Sequence, residues 1–337
     1  METLLSVRNL SIGIRHRRNQ LLSSVEDISF DIRHGEILGI VGESGSGKSL
    51  TALSIPGLLS ENKEVSSGSI LYDGKADLLR LPEKELQSIR GKEISMVFQE
   101  PFSSLNPLVK VGAQITETLE LHEFRELHEF RELRGKKDKV LIKARVMELM
   151  EKLGLPEPEK LAESYPFRLS GGMCQRVMIA LAIVCRPRLL IADEPTTALD
   201  FNTQNQILSL MKEINRVLGT SILFISHDLE VIKNLCSRVL VMYSGRILEE
   251  GNTEEIFSRP AHEYTRLLLG SIPGRASRGK ELMNIPGKVP SLEEGRPCGC
   301  PFHPRCTKAT PRCKGDFPSA ISVSTTHTTH CILEKRG

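Results

Sequence analysis

The sequence predicts an α/β fold with a parallel sheet at its centre and a small cysteine-rich domain after it. Three observations point there. From Arg188 onward, short apolar stretches (Leu189–Ala192, Ile222–Ile225 and Val239–Tyr243) alternate with helical segments, the pattern of a parallel sheet. A glycine-rich loop, Gly42-Glu-Ser-Gly-Ser-Gly-Lys-Ser49, joins a strand-like Glu36–Val41 to a helical Ser49–Ile55. Composition also shifts near residue 256. From there to the end the chain holds nine of its 18 prolines and a net charge of +7, against −4 before it.

The elements follow in order. Leu4–Val7, Ile28–Ile32 and Ser69–Tyr72 read as strands, the last meeting the turn pair Asp73-Gly74. From Leu119 to Leu153 the pattern becomes helical. Leu141, Ala144, Leu149 and Leu153 recur at helical spacings, with Asp138 as the expected N-cap and Gly154 as the stop. Within this stretch Leu-His-Glu-Phe-Arg-Glu occurs twice, at 121–126 and 127–132. Its apolar residues fall every three positions and so drift around a helix. It reads as an exposed expansion, and His122 and His128 are not ligands.

The 337 residues suffice for two domains. Lys and Arg number 45 against 42 Asp and Glu, too balanced for a dedicated nucleic-acid binder. The longest apolar run, Val177–Cys185, falls well short of the roughly 20 residues of a membrane span. The N-terminal basic cluster follows an apolar stretch, the reverse of a secretory signal, so an intracellular chain is expected.

The glycine-rich loop has the chemistry of a phosphate cradle. Gly42, Glu43, Ser44, Gly45, Ser46 and Gly47 present backbone N–H groups, Lys48 reaches the β- and γ-phosphates, and the Ser49 hydroxyl ligates Mg²⁺. Leu189-Leu-Ile-Ala-Asp193-Glu194 delivers Asp193, a second Mg²⁺ ligand, at the carboxyl end of a strand. Glu194 follows it as the candidate to activate the attacking water.

Further motifs carry a resemblance. Leu169-Ser-Gly-Gly-Met-Cys-Gln-Arg176 resembles the signature sequence of ATP-binding cassette (ABC) ATPases. Gln99 looks like their Q-loop glutamine, His227 in Ile225-Ser-His-Asp-Leu229 like their switch histidine, and Ala198-Leu199-Asp200 like their D-loop. The resemblance implies a P-loop NTPase cassette over residues 1–255, with a RecA-like parallel core, an antiparallel β subdomain and a helical subdomain at about 100–185. It also implies that Ser170, Gly171, Gly172 and Gln175 sign to ATP held by an opposite subunit, and that Asp200 lies at that junction. Gln99 would ligate Mg²⁺ or water, and His227 would bond the γ-phosphate.

Phe98-Gln-Glu-Pro-Phe-Ser-Ser-Leu-Asn-Pro107 and Arg186–Asp200 are similar to oligopeptide and dipeptide importer ATPases, as is the tail from Ile285-Pro-Gly-Lys-Val-Pro290 onward. There are departures: Glu100 replaces the usual Asp, Phe167 a common His, and Leu21 or Leu22 the aromatic that often stacks on adenine.

Five of the eight cysteines fall in the last 40 residues. Cys300, Cys306, Cys313 and Cys331 could hold a [4Fe–4S] cluster or Zn²⁺, or stay reduced and unligated. The resemblance favours the cluster. Cys298 is an alternative to Cys300. His303, His327 and His330 are read as surface residues, and Cys174, Cys185 and Cys236 as packing residues.

The function so implied is ATP hydrolysis coupled to peptide import, with nickel or a related solute as a variant. Residues 256–337 form the C-terminal domain of that importer type. The implied partners are a second, related ATPase subunit, two membrane permeases and an extracytoplasmic solute-binding protein, with no nucleic acid. The chain would sit peripherally on the cytoplasmic face of the inner membrane. The rival is a soluble ABC ATPase acting on nucleic acid or ribosomes.

Overall fold

The computed structural model describes residues 2–16, 20–123, 136–197, 199–272 and 284–333. The repeated hexapeptide from position 124 onward and Ala198 lie outside the described residues. The chain divides into two compact units, one drawn from Met1–Arg33, Ile37–Arg80 and Phe224–Gly337, the other from His34–Glu36 and Leu81–Leu223.

The first unit carries two sheets. An antiparallel one has the order Leu21–Arg33, Thr3–Arg15, Lys63–Tyr72, Ala76–Asp77. Val7, fully buried, pairs with Phe30 on one side and Ile70 on the other, which fixes which face of each strand points inward. The second sheet runs Ile321–Ser322, Thr328–Thr329, Arg246–Asn252, Arg238–Tyr243, Ile37–Val41. Its inner pair, Ile37–Val41 and Arg238–Tyr243, is parallel, with Leu38 opposite Arg238 and Val41 opposite Val241. All five residues of Ile37–Val41 are buried, as expected of an unbroken apolar run covered on both faces. The late strand Thr328–Thr329 adds to Arg246–Asn252, so the chain's last described stretch is part of this sheet.

The second unit pairs Ile94–Val97 in parallel with the fully buried Leu189–Asp193. Helices Val111–Glu123, Lys136–Lys152, Pro158–Ala162, Gly171–Ile183 and Phe201–Leu218 make up most of the rest. Phe201–Leu218 buries Ile207, Leu208, Met211 and Ile214, one helical stripe. Asp200 caps its start, and Gly219, at φ +68°, closes its end in the left-handed region. The buried strand Ser221–Ser226 carries the chain from this unit into the first.

The predicted strands hold. Among the described residues, the helical stretch expected over Leu119–Leu153 takes in the end of the helix Val111–Glu123 and the helix Lys136–Lys152. Asp138, expected as the N-cap, falls inside the helix Lys136–Lys152. Among the described residues no helix is long and apolar enough to cross a membrane.

Candidate functional site

In the first unit the strand Ile37–Val41 ends directly in the phosphate loop. Gly42 is forced by its surroundings, because a Cβ there would lie 2.1 Å from the Met242 carbonyl oxygen. Gly47 sits at φ +98°, where a side chain would strain the backbone and strike Val25. Lys48, 4% exposed, donates from Nζ to the carbonyls of Gly42 (2.8 Å) and Glu43 (3.0 Å). Its charge is thus stored across the loop that would wrap the phosphates. The Ser46 hydroxyl is buried and has no hydrogen-bond partner among the described residues, which suits a loop built to receive an anion. Ser46 also accepts at its carbonyl from Gly245 N–H at 2.9 Å. Ser44 is exposed and Gly45 adopts φ +79°. Ser49 is the second residue of the helix Lys48–Ser54. His227, also in this unit, is exposed one residue beyond Ser221–Ser226, and Asp228 next to it caps Leu229–Leu235.

In the second unit Leu189–Asp193 delivers a buried Asp193 and then Glu194. Glu194 holds φ +48°, a conformation that costs a non-glycine residue roughly 1–3 kcal/mol and gathers at functional sites. Gln99 donates from Nε2 to Glu194 Oε2 at 3.2 Å, and the Thr197 hydroxyl donates to the same oxygen at 2.9 Å. The sequence placed Gln99 and Glu194 in one site, and the fold brings them into contact. It did not single out Thr197, which lies three residues after Glu194 in the turn that follows the strand.

Ser170 caps the helix Gly171–Ile183, its hydroxyl accepting from Met173 N–H at 3.3 Å. A Cβ on Gly172 would meet Thr203 at 2.9 Å, whereas Gly171 has room. Gln175 is buried, with its Nε2 unpartnered among the described residues. Asp200 accepts from the N–H groups of Asn202 and Thr203, both at 3.0 Å, and from the Thr203 hydroxyl at 2.6 Å. The hydroxyl bond leads in holding its carboxyl below the usual range. The carboxylate is therefore a helix cap here.

The tail residues belong to the first unit. Cys300, Cys306, Cys313 and Cys331 line one small cavity with His262, His303 and His330. Four thiols suit iron–sulfur or zinc chemistry. Their positions do not converge to match: among the described residues no group of three or more His, Cys, Asp or Glu could hold a metal ion. Burial pushes the Cys300 thiol up to about 12 and raises that of Cys306. Cys298 is exposed. His327 corrects the surface reading: it is buried, 2.7 Å from the buried Glu249, which also accepts from the N–H groups of Ala261 and His262.

The sequence reading missed the groups that hold Glu43. Its N–H donates to the Tyr264 hydroxyl at 2.9 Å, and its carboxylate takes both guanidinium arms of Arg305. Tyr243, Tyr264 and Phe302 pack ring against ring around this pair, with centroids 4.8–5.3 Å apart.

Comparisons with known proteins bear on this arrangement. The family described as ABC transporter matches residues 25–197, and the one described as oligopeptide/dipeptide transporter, C-terminal region, matches residues 248–313. The oligopeptide transport ATP-binding protein OppD of Haemophilus influenzae is 45% identical over 314 residues, 93% of this chain and 92% of the relative. The oligopeptide transport ATP-binding protein AppD of Bacillus subtilis is 43% identical over 339 residues, 100% of this chain and 99% of the relative. Among solved structures, a dimeric post-hydrolysis state of the ATP-binding cassette MJ0796 bound to ADP and Pi matches with a TM-score of 0.62 and 26% identity. That match covers 74% of this chain and 99% of that one.

Proposed function

The chain belongs to the ABC transporter family and is an ABC-type ATPase; on that premise we propose that it powers an importer of oligopeptides or dipeptides. One observation carries the coupling of hydrolysis to transport. Gln99 touches Glu194, and the segment around it exposes Phe98 (38%), Phe102 (54%) and Leu108 (84%). Three exposed apolar side chains within eleven residues suit a protein contact surface. A permease docked there would act on the residue that bonds the hydrolytic carboxylate. The printed names of the relatives supply the solute class.

In the proposed cycle the phosphate loop of one chain grips ATP, with Ser49, Asp193 and Gln99 as the Mg²⁺ ligands. Ser170–Gly172 of a second, related ATPase closes on the γ-phosphate. Glu194, oriented by Gln99 and Thr197, takes the proton of the attacking water, and His227 bonds the γ-phosphate. Hydrolysis reopens the pair. Two permeases and an extracytoplasmic binding protein complete the machine, with this chain peripheral on the cytoplasmic face. Residues 1–255 serve as the ATPase and 256–337 as the importer-type tail.

Mild-detergent co-purification from native membranes tests this reading. Recovery of two permeases, a second ATPase and a solute-binding protein is expected. Recovery with ribosomes or nucleic acid and no permease would contradict it and favour the rival. A [4Fe–4S] cluster or Zn²⁺ on the tail is a separate part of the proposal. The four thiols lining one cavity support it and their lack of convergence counts against it. Iron, sulfide and zinc assays on the anaerobically purified chain decide it, and absence of all three leaves the thiols unligated.

A further inference from the structure

Glu43 places a carboxylate inside the loop read as binding a triphosphate. Its carboxylate would repel the phosphates if it stood unpaired. It does not stand unpaired: Arg305 donates from Nη1 to Oε2 at 2.7 Å and from Nη2 to Oε1 at 3.1 Å. This is the two-armed geometry that gives arginine–carboxylate pairs their strength and direction.

Arg305 is itself fixed. Its Nε donates to the Pro286 carbonyl at 2.7 Å and its Nη1 to the Tyr243 hydroxyl at 3.2 Å. The guanidinium lies 5.6 Å from the Tyr243 ring centroid and 5.8 Å from that of Phe302. The side chain is only 6% exposed. Arg305 sits in the short turn His303–Arg305, between Cys300 and Cys306, so the cysteine segment presents it. At the other end, the Glu43 carbonyl accepts from Lys48 Nζ at 3.0 Å and from Ser46 N–H at 3.2 Å. A chain of contacts thus runs from the cysteine segment through Glu43 to the phosphate-gripping lysine.

We propose that Arg305 is a positioning residue for ATP binding: it neutralises Glu43 within the phosphate loop and holds that residue in place under Lys48. The C-terminal segment then tunes nucleotide affinity directly. Burial pulls the guanidinium toward losing its proton, but the bonds to Glu43 and Tyr243 and the neighbouring charges outweigh this. Arg305 stays charged at every working pH.

The test uses the full chain and steady-state ATP hydrolysis. Arg305→Met is expected to raise the KM for ATP about tenfold, the scale of one charged hydrogen-bonded pair, with kcat within about twofold. Adding Glu43→Gln to that variant removes the stranded charge and is expected to bring KM back to within about threefold of the parent. A merely structural role predicts no such rescue. An unmoved KM in Arg305→Met, or a double variant no better than the single, overturns the proposal. Should Arg305→Met fail to fold, Arg305→Lys and Arg305→Gln decide. The lysine, which keeps the charge, is expected to bind ATP at least about threefold more tightly than the glutamine. Equal KM values in the two contradict it. The proposal rests on the phosphate loop binding ATP, and Lys48→Ala checks that premise independently.

Discussion

Two strands of this molecule end in the same way and in opposite circumstances. Ile37–Val41 and Leu189–Asp193 are each five residues long, wholly buried, and followed within two residues by a glutamate. The first of these, Glu43, is bound by a guanidinium on both oxygens and by its own backbone to Tyr264 and Lys48. The second, Glu194, takes an amide and a hydroxyl on one oxygen and holds a left-handed backbone. A carboxylate answered by a fixed positive charge is committed to structure. One held by an amide and a hydroxyl on the same oxygen has the placement expected of a group that activates water. On the proposed function, the same strand-end device would hold phosphate in one unit and break a phosphoanhydride bond in the other.

Glu194→Gln breaks the comparison most severely. It keeps the shape and the bond from Thr197 but removes the base, so kcat is expected to fall by about 10²–10⁴ while ATP still binds. Phosphate release from the full chain measures it. Next in size is Glu249→Ala, which attacks the scaffold behind the tail. It strands buried His327 and two backbone N–H groups, and a loss of about 3–5 kcal/mol is expected in denaturant unfolding. Lys48→Ala tests the binding side. Losing a charged phosphate contact is expected to weaken ATP affinity by about 10–150-fold, as read by nucleotide titration. The smallest effect sharpens the hydrolytic side. Thr197→Val removes one neutral bond to Glu194 and is expected to lower kcat by about two- to tenfold, with ATP affinity unchanged. A larger loss would place Thr197 among the reacting groups.

Much of this was legible in the sequence because the chemistry sits in short local motifs. The glycine-rich loop, Asp193-Glu194 and Ser170-Gly-Gly each specify a backbone shape within a few residues, and each lies at the strand or helix end expected. What stayed hidden depends on long-range placement. Arg305 meets Glu43 across 262 positions and His327 meets Glu249 across 78, and neither pair has a local pattern to betray it. Arg305 lies between two cysteines in a segment whose only local pattern is that of its thiols. His327 read as a surface residue because its threonine- and serine-rich neighbours look solvated, while the strand Thr328–Thr329 in fact carries it against the core sheet. The cysteine tail is a third case. Its spacing does not show that the four thiols share a cavity, which only the fold brings about, and the metal they would hold remains part of the proposal.

The division of labour between the two strand ends is tested most directly by measuring ATP affinity and single-turnover hydrolysis side by side in Lys48→Ala and Glu194→Gln. The expected result is a crossed pattern. Lys48→Ala loses affinity, while Glu194→Gln binds ATP within about threefold of the parent and loses the hydrolytic step. Parallel losses in both variants, or undiminished hydrolysis by Glu194→Gln, would contradict it.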